Sequence, residues 1–168
     1  MNYTLKPISK EAIPEALAKA ERYRLLNEPG EAESICRDVL AADPENADGL
    51  RLLGLSITDQ FEGAAGDRHG EAESIFAGLK DPYERIYYTG IVHERRAKAL
   101  LSAGARPHTL VVLFEEAMSC FEEASRIRPE GNDDAILRWN RCVRLLQQHA
   151  TDWREELEAF DASDSPPV

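Results

Sequence analysis

Aromatic residues and cysteines are scarce in this sequence. Phe, Trp and Tyr make up 7% of the 168 residues, and only three cysteines occur, Cys36, Cys120 and Cys142. Their number is odd, they lie far apart and no two form a CxxC pair, which excludes a disulfide scaffold and a zinc finger. Free cysteines are among the residues most often buried, so we expect reduced, buried thiols.

Long apolar segments are also missing. The longest uninterrupted apolar run is the stretch from Leu110 to Phe114, far short of the roughly 20 residues that cross a membrane. The N-terminal stretch MNYTLKPISKEAIPEAL contains no apolar block and no cleavage site of a secretory signal. We therefore expect a soluble, cytoplasmic protein that does not bind membranes.

Basic residues are outnumbered by acidic ones. The chain has 20 Lys and Arg against 31 Asp and Glu, a formal net charge of −11. Residues 151–168 contribute strongly, because they hold six carboxylates and a single cation, Arg154. Phosphate backbones repel an acidic protein, so nucleic acid is not a predicted partner.

Motifs for cofactors, metals and catalysis are absent. Neither GxGxxG nor GxxxxGK[ST] occurs, so no phosphate-binding loop is predicted. His93 and Glu94 begin like the HExxH zinc motif, but Ala97 stands where the second histidine would be needed. We predict no cofactor, no metal and no catalytic residue, and we interpret His93 as a core histidine. The protein is not expected to be an enzyme.

One hexapeptide, GEAESI, is present twice, at residues 30–35 and 70–75. Small and apolar residues follow each copy at offsets of zero, four and seven, which is one face of a helix. A third segment keeps the spacing without the hexapeptide; the three stripes are Ala32, Cys36 and Val39; Ala72, Phe76 and Leu79; and Ala117, Phe121 and Ala124. A proline that stops a helix closes each stripe, at Pro44, Pro82 and Pro129. We predict three helices, with the hexapeptide at the start of two and its charged residues facing water.

A second helix is predicted upstream of each of these. The residues at packing spacing are Ala20 and Tyr23 in the first of these helices, Leu53, Gly54 and Ile57 in the second, and Ile86, Gly90 and His93 in the third. The first set of residues, Ala20, Tyr23, Ala32, Cys36, Val39 and Pro44, resembles the tetratricopeptide repeat, a 34-residue helix–turn–helix unit, without a gap. The resemblance covers about residues 13–149. The second unit then has an insertion around residues 61–67. The third unit has a longer first helix, which is followed by a turn at Ala103–Pro107.

The resemblance implies an all-α fold: a right-handed superhelix of about three helix pairs with a C-terminal capping helix. We expect this repeat domain at residues 1–150, with a partly disordered acidic segment at 151–168. The capping helix is predicted to bury a stripe of Ile136, Trp139, Val143 and Leu146. Trp153, Leu157 and Phe160 form one further short stripe, and residues 161–168 are expected to be disordered.

The resemblance also implies a function and a binding surface. In such proteins the first helices line a concave groove that binds an extended peptide or a partner helix. Carried over, the predicted contact residues are Arg51, Leu55, Tyr87, Ile91, Arg95, Asn140 and Arg144. The chain is then a non-catalytic adaptor or scaffold for a protein or peptide ligand.

Two alternatives stay open beside the adaptor, and an uncharacterised enzyme stays as a remote third. The chain could self-associate as a structural homo-oligomer, or its acidic C-terminal segment could cover the arginines of the groove as an autoinhibitor. Helical arginines also commonly pair with acids three or four residues away, which would give these side chains a purely structural role.

Overall fold

The computed structural model of the chain describes residues 3–62 and 68–163, and every element in this part is helical. After a short 3-10 helix at Lys10–Ala12 come seven α-helices: α1 (Ile13–Leu25), α2 (Pro29–Ala42), α3 (Ala47–Thr58), α4 (His69–Ala77), α5 (Pro82–Ser102), α6 (Pro107–Ile127) and α7 (Asp134–Ser163). The described residues contain no strand, and the expected all-α class is confirmed. The chain divides into two compact units, Met1–Arg85 and Ile86–Val168.

In the first unit, α2 packs against both α1 and α3, α3 packs against α4, and α1 also contacts α3. Both copies of the hexapeptide lie in the first turns of helices, α2 and α4, as predicted. The predicted stripes are its core, because Ala32, Cys36, Val39, Ala72 and Phe76 are all completely buried. The periodicity of the sequence therefore identified these buried faces correctly.

In the second unit, α5 and α6 form a longer helix pair. As predicted, α5 runs on to Ser102, and α6 begins at Pro107 after a four-residue turn. Gly104 in this turn has a φ of +75°, a left-handed conformation that glycine adopts without strain. On α6 the stripe of Ala117, Phe121 and Ala124 is fully buried.

Side-chain caps mark the beginnings of three helices. Oδ1 of Asn46 accepts a hydrogen bond from the backbone N–H of Gly49 (2.9 Å) at the start of α3. Asp81 does the same for the N–H of Tyr83 (2.8 Å), before α5. The side-chain oxygen of Asn132 accepts a hydrogen bond from the backbone N–H of Asp134 (3.0 Å) at the start of α7. These bonds satisfy N–H groups that have no partner within the helix.

The buried stripe of α7 differs from the predicted one. Ala135, Cys142 and Leu145 are buried, whereas Trp139 is 37% exposed; Ile136, Val143 and Leu146 are half-buried. The prediction followed the largest apolar side chains. The helix is instead turned so that Arg138, between Ala135 and Cys142, contacts a buried carboxylate on α5.

The end of α7 also differs from the prediction. The helix continues without a break through Ser163, so residues 161–163 are helical and not disordered. Trp153 is 9% exposed, and the side chains of Leu157 and Phe160 lie outside the described part. The insertion predicted around residues 61–67 falls mostly outside it too. No described helix combines the length and the apolar content needed to cross a membrane.

Candidate functional site

The seven predicted contact residues are divided between the two units. Arg51 and Leu55, both on α3, belong to the first unit, and the other five belong to the second. Arg51 forms ion pairs with Glu84 and with Asp48, one turn earlier on its own helix. Its guanidinium is thus held between two carboxylates, which is the structural role that helical arginines commonly have. Leu55 is half-buried.

Two of the predicted residues on α5 are engaged inside the second unit. Ile91 is 2% exposed and is a core side chain. The ring of Tyr87 lies 6.0 Å from that of Phe121 and makes an edge-on contact with Tyr88, with centroids 5.1 Å apart. Burial raises the pKa of Tyr87, and a hydrogen bond from Arg138 works in the opposite direction. Arg95 is half-buried on the same helix.

A buried carboxylate on α5 joins that helix to α7. Glu94 is completely buried, and its two oxygens contact Nζ of Lys98 and, at 3.3 Å, Nη1 of Arg138. Burial favours the neutral form of Arg138, but the adjacent Glu94 keeps the pKa of this guanidinium above its ordinary value. Since two cations surround one carboxylate, the buried charge is fully compensated. Sequence reasoning missed this network, although Glu94 and Lys98 stand four residues apart.

Asn140 and Arg144 lie on α7, and Asn140 borders a cavity. The cavity has a volume of about 310 Å³ and lies between α6 and α7. It is lined by Phe121, Glu122, Ser125, Ile136, Trp139 and Asn140. Apolar surface dominates, and Ser125, Glu122 and Asn140 provide the polar groups. A few polar groups in a mainly apolar cleft are typical of a binding site for one large apolar side chain.

Two glycine–phenylalanine contacts show how successive helices approach each other. A β-carbon built on Gly54 of α3 would overlap the ring of Phe76 on α4. One built on Gly90 of α5 would lie 2.7 Å from the ring of Phe121 on α6, closer than real side chains come. In each pair the first helix therefore supplies a gap and the second helix supplies the ring that fills it.

Trp139 stands at the corresponding place of α7. The interval from Pro44 to Gly54 equals the interval from Pro129 to Trp139. The interval from Val39 to Gly54 likewise equals the interval from Ala124 to Trp139. Where α3 has a glycine covered by a phenylalanine, α7 has a partly exposed tryptophan beside a cavity.

One glutamate of each hexapeptide, Glu33 and Glu71, belongs to an ion network. The prediction that the charged residues face water is wrong for Glu33, which is mostly buried, whereas Glu31 is exposed as predicted. Glu33 of the first copy is bound bidentately by Arg68, with N–O distances of 3.0 and 2.7 Å. Arg37 donates to both Glu33 (2.6 Å) and Glu71 of the second copy (2.7 Å), and Arg68 also donates to Glu71 (2.8 Å). Gln60 adds a hydrogen bond of 2.7 Å to Glu33. The network ties α2 to α4 and to the end of α3.

This network changes the protonation of its carboxylates. Hydrogen bonds from Arg68, and then from Arg37 and Gln60, lower the pKa of Glu33 to about 2 against the effect of burial. Burial raises the pKa of Glu71, but hydrogen bonds from Arg37 and Arg68 outweigh this effect and lower the pKa below its ordinary value. Two carboxylates and two guanidiniums balance, so the cluster stabilises the first unit and carries no net charge of its own.

The cysteines and histidines form no reactive group among the described residues. Cys36 and Cys142 are buried, as expected, and burial raises the pKa of the former to about 11 and of the latter to about 12; Cys120 is half-buried. Nδ1 of His93 lies 3.4 Å from Oε2 of Glu116, inside the α5–α6 pair. Within residues 3–62 and 68–163, no three His, Cys, Asp or Glu side chains converge as metal ligands would.

Comparison of the chain with models of known families, with curated proteins and with solved structures finds no match.

Proposed function

We propose that the protein is a non-catalytic interaction module of tetratricopeptide-like helix pairs that binds a segment of a partner protein. The repeated glycine–phenylalanine contact carries this proposal. Gly54 with Phe76, and Gly90 with Phe121, place the same contact in two successive helix pairs. Helix pairs of this kind serve in repeat proteins to present an extended binding surface.

The cavity between α6 and α7 is the proposed contact point for the partner. Its wall includes Trp139, and tryptophan is among the residues that contribute most to protein–protein binding. By its spacing from the preceding proline, Trp139 corresponds to Gly54, which Phe76 of the following helix covers in the first unit. We expect the partner to insert a large apolar side chain beside Trp139 and to hydrogen-bond Asn140.

The residues predicted on α3 and α5 have a smaller part in this proposal. Arg51 forms ion pairs with Glu84 and Asp48, and Ile91 lies in the core, so both side chains already have structural roles. Asn140, which lines the cavity, remains as a proposed contact, whereas Arg144 is not among the lining residues. Reversal of the charge of Arg51 would bring a third carboxylate next to Glu84 and Asp48 and would test stability before it tested binding.

A cavity-filling substitution tests the proposal. Ser125 lines the cavity, and Ser119 is exposed six residues earlier on the same helix. Tagged wild-type protein, Ser125→Phe and the matched control Ser119→Phe are each used for affinity capture from a lysate of the source cells, followed by mass spectrometry. Circular dichroism first establishes that all three are folded.

The expected result is a protein retained by wild type and by Ser119→Phe, and lost with Ser125→Phe. The same protein should be lost with Trp139→Ala, which removes the ring and leaves the rest of the cavity wall. If Ser125→Phe and Trp139→Ala both retain every captured protein, the cavity is not the binding site and the proposal fails.

A further inference from the structure

The outward face of α7 carries four residues that would pair with the same four residues of a second helix running in the opposite direction. Leu137, Asn140 and Arg144 lie on one face of α7, and Asp133, the residue before the helix, continues that face because its carbonyl accepts the hydrogen bond of the Leu137 N–H. The four residues follow one another at intervals of four, three and four. Asp133 and Leu137 are each 63% exposed, Arg144 is exposed and Asn140 is half-buried. We name these four residues the α7 stripe.

The α7 stripe matches itself when two helices run antiparallel. Because the first and last intervals are equal, Asp133 of one helix lies opposite Arg144 of the other, and Leu137 lies opposite Asn140. The same pairs recur on the other side of the two-fold axis, so an acid meets a base twice. Leu137 and its symmetry mate are then about one helical turn apart and cover each other, since the rise is about 1.5 Å per residue.

We infer that the α7 stripe is a docking surface for a second copy of this chain. A two-fold contact requires one surface to be complementary to itself, and the α7 stripe meets this requirement in both charge and spacing. Asp133 already contacts Arg128 at 3.2 Å in its own chain. In the pair it lies between that guanidinium and Arg144 of the second copy, where its charge is well compensated.

The contact is small, and this determines how the pair behaves. One leucine and two symmetric ion pairs bury much less than the roughly 1,200 Å² of a stable interface, so the dimer is weak. Exposed ion pairs are screened by salt, so the dimer forms at low ionic strength and dissociates at high ionic strength.

Sedimentation equilibrium on the full chain measures this association, in about 0.01 M and about 1 M salt. Wild type is compared with Arg144→Glu, with Asp133→Arg, and with Arg22→Glu, a control of equal charge change at an exposed residue of α1. The two α7 variants are also mixed in equal amounts. In that mixture every acid again faces a base, although each variant alone brings like charges together.

We expect concentration-dependent dimerisation of wild type and of Arg22→Glu in low salt, and its loss in high salt. Each α7 variant alone should be monomeric, and the mixture should dimerise again. A wild type that is monomeric in low salt would overturn the inference. So would an Arg144→Glu variant that still dimerises, or a mixture of two folded variants that does not associate. If Asp133→Arg is unfolded, Leu137→Arg decides instead: loss of the dimer supports the α7 stripe and its retention overturns it.

These outcomes are separate from the test of the cavity. Ser125→Phe changes partner capture and leaves the α7 stripe intact, whereas Arg144→Glu acts on dimerisation. The test of dimerisation can therefore succeed or fail independently of the test of the proposed partner site.

Discussion

The ring of Phe76 on α4 occupies the space that a side chain at Gly54 on α3 would need. Gly54→Ala should therefore destabilise the protein by about 1–3 kcal/mol, because the added methyl group has to displace a fully buried ring. Urea unfolding followed by circular dichroism measures the change. In the Gly54→Ala background, Phe76→Leu should recover part of the loss, since it removes the ring that the methyl group strikes.

Gly30→Ala is the matched control, because nothing lies within 4 Å of a β-carbon at that position in the first turn of α2. It should stabilise by about 0.5–1 kcal/mol, as alanine does at a helical position without a clash. Equal effects of the two substitutions on the free energy of unfolding would show that the close contact between Gly54 and Phe76 does not make a side chain at residue 54 unfavourable.

The low pKa of Glu33 predicts a loss of stability in acid. Its pKa falls from 4.5 to about 2 on folding, so its contribution is complete at neutral pH, begins to decline near pH 4.5 and is gone below about pH 2. We expect a contribution on the order of 1–3 kcal/mol, reduced from the full shift by solvent screening. Unfolding free energies of wild type and Glu33→Gln, measured from pH 7 to pH 2, should therefore converge as the pH falls.

Glu73 occupies in the second hexapeptide the position that Glu33 has in the first, and it serves as the control. Glu73→Gln should change the free energy of unfolding at neutral pH by less than about 0.5 kcal/mol. If the curves of wild type and Glu33→Gln run parallel over the whole range, the arginines around Glu33 do not stabilise the folded state.

Replacement of Arg138 should be strongly destabilising. Arg138→Met leaves the completely buried Glu94 with Lys98 as its remaining cation, and loss of one partner of a buried ion pair costs about 3–5 kcal/mol. Because Arg138 is partly exposed, we expect the lower end of this range. Glu94→Gln in the Arg138→Met background should recover part of the loss in a double-mutant cycle by urea unfolding.

Arg141→Met, at an exposed position on the next turn of α7, should change stability by less than about 0.5 kcal/mol. A similar loss for both arginines would attribute the effect to the helix surface and not to the buried carboxylate.

The thiols should differ in reactivity. The thiolate is the reactive form, and burial raises the pKa of Cys36 to about 11 and of Cys142 to about 12, so both should resist alkylation by iodoacetamide at pH 8. Half-buried Cys120 should be modified first. Peptide mass spectrometry against time gives the three rates, and in urea they should become similar. Early modification of Cys36 or Cys142 in the folded protein would contradict their burial.

The helices and their buried faces could be predicted from the sequence because burial follows periodicity. Ala32, Cys36 and Val39 recur at helical intervals, and each is fully buried. Gly54 and Gly90 were among the residues at packing spacing, and each lies against the ring of a phenylalanine on the next helix. These features are local, and the chain order alone contains them.

The polar contacts could not be predicted in the same way. Glu33 binds Arg68, which is 35 residues away, and nothing in the spacing of the hexapeptides indicates that pair. The orientation of α7 was missed for a related reason: Trp139 is the largest side chain of the predicted stripe, yet the helix turns Arg138 inward to reach Glu94. Both errors arose where a long-range ion pair decided the arrangement.

The position of Glu33 has a consequence for how this chain tolerates changes in length. Gln60 and Arg68, which stand on either side of residues 61–67, both donate hydrogen bonds to this one carboxylate. The ends of the connection between α3 and α4 are thus held by α2, independently of the residues between them. Because each doubling of a loop costs only about 0.6 kcal/mol, this connection is a suitable place to graft an epitope tag or a peptide.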